Sequence, residues 1–419
     1  MRMSGFLIAL CMIVTIPVSW GQEAPPSPAE ARIAQAQKAL AADSRNYMAY
    51  NELALAYARR ARETSDTRFY QRAEEVLRRS QELKPGNLEA RKVSVWVLLG
   101  QHEFARALEH AKELSRLVPD DVLTYGLLAD AHVQLGNYTE AEAAVQWMLN
   151  LRPGNIPALT RAAYLRELFG DIDGASELMQ AALRRTPPSE TEDMAWIFTH
   201  IAHLHLAAGD VSVADQTVTE ALRWFPDYHY ALAQQAKLRT AQGRYAEAVE
   251  LLQRRLQAAP HAENLYDLAE ALQRAGRQEE ARRAFAAFEQ RALREQAAWD
   301  NANRELIFYY ADHARRPKEA LRVARLEAAR RKDVYTLDAL AWALYSNGEF
   351  REAREQMTLA LAVGIRDSRL FQHAAAIAHK LGDRASAKKY QRQANELSIA
   401  TLAEGNRSEA TAEGRRASF

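Results

Sequence analysis

The run Thr199-His200-Ile201-Ala202-His203-Leu204-His205 holds the residues with the most capacity for metal or acid–base chemistry. On a helix His200 and His203 share a face while His205 lies roughly 140° from His200, so only two of the three could reach one ion. His205 also stands in an apolar column that Tyr57 and Leu272 fill elsewhere, and the run reads as packing histidines rather than a metal centre. Asp171-Ile172-Asp173-Gly174 has the start of a calcium loop but lacks the remaining ligands and falls on a turn between helices. Glu270, Asp312 and His313 could assemble a hydrolytic site across units, a remote alternative. The chain has no G-x-S-x-G elbow, P-loop, HExxH or GxGxxG, so the expectation is a non-enzyme with no cofactor and no metal.

What positions these residues is a repeat. Ala73, Ala107, Ala141, Ala175, Ala214, Ala248, Ala281, Ala320, Ala353 and Ala387 are separated by 34, 34, 34, 39, 34, 33, 39, 33 and 34 residues. Such spacing marks one unit repeated in tandem, each contacting its neighbours. Residues 122–155 show the grammar. Tyr125, Leu128, Ala129 and His132 fall at i, i+3, i+4 and i+7, one face of a helix. Gly136-Asn137 breaks it, a second helix carries Ala141, Val145 and Met148, and Pro153-Gly154 ends that one. A second small-residue column, including Ala54, Ala129, Ala163, Ala202, Ala236, Ala269, Ala341 and Ala375, falls where the two helices cross. Strands have no support, because β-branched runs and period-2 alternation are absent.

The 34-residue unit, the LGNYTEA turn, the alanine columns and the closing prolines Pro85, Pro119, Pro153, Pro187, Pro226 and Pro260 resemble the tetratricopeptide repeat (TPR) family. The resemblance implies an all-α, right-handed α-solenoid of about ten helix pairs over residues 46–401, preceded by a capping helix at 30–45. It also implies a protein or peptide partner bound in a concave groove lined by the first helix of each unit. Stepping along that face gives Trp96, Tyr164, Trp196, His203, Tyr230, Lys237, Tyr266, Glu270, Tyr309, Tyr335, Trp342 and Tyr345 as groove residues. Tyr and Trp supply large contact area at little entropic cost, which suits an extended peptide or helix. A small apolar or carbohydrate ligand stacked on the same rings is the alternative. The chaperone carboxylate clamp of the family is not supported: Asn51 and Lys92 are present, but Leu55 and Trp96 stand where asparagines are required.

Three departures from the period stand out. Extra residues fall around Arg62 to Arg68, PPSETED occupies 187–193, and the stretch around Glu289 to Asp300 is lengthened. The unit starting near Asn301 replaces its turn glycine with Arg315-Arg316-Pro317. Insertions in such arrays fall in loops, where they can bend the superhelix or dock a partner.

Residues 1–21 read as a signal peptide: Arg2, an apolar stretch from Phe6 to Ile16, then Ser19-Trp20-Gly21 at a cleavage site. Eleven to thirteen apolar residues are few for a membrane span, and no later stretch is apolar enough, so no integral membrane segment is expected after cleavage. Cys11, the only cysteine, lies in that signal, which excludes disulfides and thiol catalysis from the processed chain. The expected location is therefore periplasmic or extracellular. Residues 22–29 read as an extended leader and 402–419 as a disordered tail. With 55 basic and 54 acidic side chains the chain has no global attraction to nucleic acid, and none is expected as partner.

Overall fold

The computed structural model describes residues 26–296 and 301–397. The expected signal at 1–21, the first half of the leader and the tail at 402–419 lie outside them. All 21 helices belong to one architecture, with no strand among the described residues. After a first helix, Pro28–Ala42, come ten antiparallel pairs, units 1 to 10, at 47–83, 88–117, 122–151, 156–183, 191–224, 229–258, 262–295, 303–330, 334–362 and 368–396. The fold is an α-solenoid of helix pairs. Its first helix starts two residues before the expected 30 because Ser27 and Glu30 form a capping box and Pro28 takes the first helical position. It ends at Ala42 rather than 45.

Local chemistry sets the unit boundaries. Asn87, Asp121 and Asn155 each cap a first helix by accepting a hydrogen bond from the backbone N–H three residues on. Nine of the ten period-setting alanines are 0–2% exposed. Ala387 is only half-buried, since no helix follows its unit among the described residues. These side chains lie where helices approach closely. Ala248→Leu in unit 6 is accordingly expected to cost about 1–3 kcal/mol through overpacking, read as a lowered urea midpoint. An unchanged midpoint would show that the crossing has slack.

The array does not remain a linear stack. Its superhelix winds tightly enough for successive turns to touch, so the expectation that each unit contacts only its neighbours is corrected. The turn of unit 3 meets the segment before unit 9: Lys332 N–H donates to the Gln134 carbonyl at 2.9 Å, and Val334 N–H donates to the Tyr138 hydroxyl at 2.9 Å. The turn of unit 4 lies against Gly364, and a Cβ at Gly170 would stand 2.6 Å from the Gly364 carbonyl oxygen. One apolar cluster runs through both regions, holding Leu165 and Leu168 together with Leu344 and Ile365.

A second contact joins two of the insertions. The turn after the first helix of unit 1 meets the PPSETED segment before unit 5. Arg62 pairs with Glu192 and, at 2.5 Å, with Asp193. Arg59 reaches Glu190 at 3.2 Å, and Arg32 of the first helix pairs with the same carboxylate. Tyr228, fully buried, donates its hydroxyl to Glu192 at 2.6 Å. The departures from the 34-residue period at 62–68 and 187–193 thus bind each other across a superhelical turn.

Candidate partner-binding lumen

Because the turns touch, the first helices face an enclosed lumen rather than an open groove. Lys237 of unit 6 shows this. Its side chain is exposed to solvent, yet burial lowers its pKa, with Asp267 countering and Arg255 and Arg369 adding to the effect. Both statements hold for an ammonium that projects from its helix toward side chains of other units. Tyr335 of unit 9 is raised well above the usual phenol value by burial first, then by Tyr164 and Glu167 of unit 4. Residues separated by five units along the chain thus sense each other across the interior.

Three carboxylates meet imidazoles of the adjacent first helix on this face. Glu167 is 2.8 Å from His200 Nε2 and 2.9 Å from His203 Nε2. Burial alone would raise its pKa, but hydrogen bonds from both rings outweigh that and hold the carboxyl well below its usual range. Glu270 meets His313 Nε2 at 2.6 Å, and Asp338 meets His373 Nδ1 at 2.8 Å. His200 and His203 of the histidine run therefore serve a carboxylate, and among the described residues no group of three His, Cys, Asp or Glu side chains is placed to hold a metal ion. Asp171 caps a helix by accepting from Gly174 N–H at 2.9 Å.

The rings divide into packed and available ones. Tyr266 and Tyr309 are buried at 8% and 9% exposure. Trp342 is sandwiched between Tyr345 at 4.8 Å and His373 at 4.1 Å, and the column continues through Phe308 to the Arg369 guanidinium 4.4 Å from that ring. Trp196 stacks on His200 at 5.4 Å, with Tyr164 edge-on to the same imidazole. Trp96 packs half-buried against the apolar core, and Arg304 lies 6.0 Å from the Tyr335 ring centre. Tyr230, by contrast, is 39% exposed, and the His203 side chain keeps 40% exposure.

Unit 8 departs most. Residues Tyr309–His313 form a π-helical turn in which Ala314 N–H reaches the Tyr309 carbonyl at 2.8 Å. Glu289 holds the turn by accepting from both the Tyr309 and Tyr310 hydroxyls at 3.2 Å and from Arg316 at 2.6 Å. Of the hydrolytic grouping, Glu270 and His313 do meet, but Asp312 instead accepts the Trp342 Nε1–H at 2.8 Å. Asn51 and Lys92 are likewise engaged: Asn51 in a buried triad with Ser80 and Asn87, Lys92 with Asp121 at 3.0 Å.

Sequence stepping missed Arg62, Glu192, Tyr228 and His229, because they lie off the inner face at the turns. Their only sequence signal was the broken period.

The paired helices, alanine crossings and left-handed turn residues define a helical-repeat protein. Tetratricopeptide repeat models match residues 98–148, 200–263 and 368–398, so the chain carries tetratricopeptide repeats. No curated protein matches the sequence. Among solved structures, human IFIT1 in a dimer with m7Gppp-AAAA superposes with a TM-score of 0.52 at 14% identity, covering 87% of this chain and 85% of that one. A chain of the APC/C Cut9–Hcn1 hetero-tetramer gives 0.46 at 14% identity, with 82% of this chain spanning 55% of that one. A thermophilic TPR protein of Thermus thermophilus gives 0.37 at 22% identity, over 47% and 99% of the two chains. At these identities the likeness is one of fold. No helix among the described residues is long and apolar enough to cross a membrane.

Proposed function

We propose that this protein is an exported, non-enzymatic scaffold that holds a protein or peptide partner in its lumen, within envelope assembly or secretion. Repeat arrays of this family serve as protein-interaction scaffolds, which supports the general reading. The observation that carries the specific one is the set of inner-face side chains left available to a partner: Tyr230, His203 and Lys237. Export rests on residues 1–21 of the sequence.

Two comparisons favour a peptide. IFIT1 was solved with a capped oligonucleotide, but here Lys237, Arg255 and Arg304 face Asp267, Glu263 and Glu305. A balanced lining lacks the single-sign field that phosphates need and suits a chain carrying both charges. A small ligand sandwiched between rings would need free faces, whereas both faces of Trp342 are taken. The test is affinity capture from native envelope extract with the processed chain, set beside a Tyr230→Ala/Lys237→Glu variant. The variant is expected to lose specific partners while keeping its helical spectrum. Identical partner sets from the two proteins would overturn the lumen reading.

A further inference from the structure

The outer surface carries a second feature, independent of the lumen. The second helices of units 1 and 2, Arg68–Leu83 and Phe104–Leu117, stand as two ridges, with the helix Leu88–Gly100 as the floor between them. They enclose a cleft of about 790 Å³, within the range of built ligand sites. Val97 and Leu98 of the floor and Leu77 of one ridge give it an apolar lining. One end opens at Gly86, where a Cβ would meet nothing within 4 Å.

The charge on the walls is uneven. Arg78 from one ridge and Arg106 and His110 from the other line the cleft, and all three are exposed. Arg78 and His110 form no ion pair or hydrogen bond among the described residues. Arg106 has only Glu103, the residue before its helix, at 3.8 Å. Of the carboxylates present, Glu113 is already held by Arg91 at 2.8 Å, leaving Glu74. Three cationic or donor groups therefore converge on a concave space with one free acid among them. Several other arginines do find intramolecular partners: Arg62 pairs with Glu192, Arg161 with Asp130 at 2.6 Å, and Arg239 with Asp215 at 2.8 Å.

We propose that this outer cleft binds an acidic peptide segment of another protein, its carboxylates taken by Arg78 and Arg106 from opposite walls and by His110. A guanidinium offers a planar fork that matches a carboxylate with two parallel hydrogen bonds, which a point charge does not. The narrow trough adds the fields of both ridges, so attraction falls off with salt. The site lies on the convex side and does not depend on the lumen reading.

The experiment titrates the processed full-length chain into a fluorescein-labelled peptide of repeating Glu-Glu-Leu, with repeating Lys-Lys-Leu as counterpart, and reads anisotropy at low and physiological salt. Binding of the acidic peptide alone is expected, weakened at least about tenfold in Arg78→Glu/Arg106→Glu. Tyr230→Ala/Lys237→Glu should keep full affinity, which separates this site from the lumen. Both reversed positions are exposed, and an unchanged circular dichroism spectrum verifies the fold. Equal binding of both peptides, or full affinity in the reversal variant, overturns the proposal.

Discussion

Replacing Arg62 with methionine is expected to destabilise the closed superhelix by about 3 kcal/mol, the lower end of the range for breaking a buried ion pair. The lower end applies because the Arg62 side chain keeps 30% exposure while Glu192 keeps 5%. Without the guanidinium, Glu192 would be left as a buried carboxylate with only the Tyr228 hydroxyl to stabilise it. Burial already raises the Glu192 pKa, and Arg62 is the main influence opposing that. The double variant Arg62→Met/Glu192→Gln should therefore recover part of the loss, since it removes the uncompensated charge. Urea unfolding measures the cost. Small-angle scattering measures the consequence: a greater maximum dimension as the turn of unit 1 leaves the start of units 5 and 6. Additive losses in the double variant would show that the two groups do not act as a pair.

The second large effect is on pH dependence, and it centres on His229, which is 1% exposed. Its Nε2–H donates to the Arg62 carbonyl at 3.1 Å and lies 3.3 Å from the Ser65 hydroxyl. Nδ1 is buried with no hydrogen-bond partner, so a proton placed there would be an N–H without an acceptor. Burial lowers the pKa to about 4 from 6.5, with the Arg62 carbonyl opposing and Arg255 and His261 adding to the shift. The sign follows from linkage. Between pH 6.5 and 4 the unfolded chain binds a proton that the folded one refuses, so stability is full above pH 6.5 and is lost as pH falls toward 4. The shift corresponds to about 3 kcal/mol. Unfolding midpoints at neutral pH and near pH 4 should therefore differ more in the native protein than in His229→Gln, which keeps a donor but cannot titrate. The same acid sensitivity in both proteins would remove His229 from the account.

Much of the architecture was legible because its causes are local. The alanines recur where a helix pair must approach closely, and the turn glycines occupy left-handed backbone, as at Gly136 with φ +76. Asn and Asp caps mark helix starts. Each signal acts over a few residues or between adjacent helices, so each repeats with the unit. The inner face was partly legible for the same reason, since Glu167, Glu270 and Asp338 fall on it by simple stepping. Which rings would be spent on packing was not. Trp342 and Tyr230 have equivalent standing in the pattern, yet one is sandwiched and the other is 39% exposed. The difference is made by His373 and the neighbouring unit. The π-helical turn hid in the same way: unit 8 lacked its glycine, but only Glu289, from the preceding insertion, shows what holds the extra residue in place.

The amino-acid sequence by itself determined the unit, its helices, their caps and the small residues at their crossings, because those depend on neighbours within one repeat length. Only the tertiary structure decided that the array closes on itself. Superhelical winding is the sum of small rotations between successive units, and no single unit records that sum. The contacts that follow join Arg62 to Glu192 and Tyr138 to Val334, residues 130 and 196 positions apart. Each pair occurs once, so it leaves no period to read. The Arg62–Glu192 contact left one trace in the sequence, the interruption at 62–68 and 187–193, and the Tyr138–Val334 contact left none.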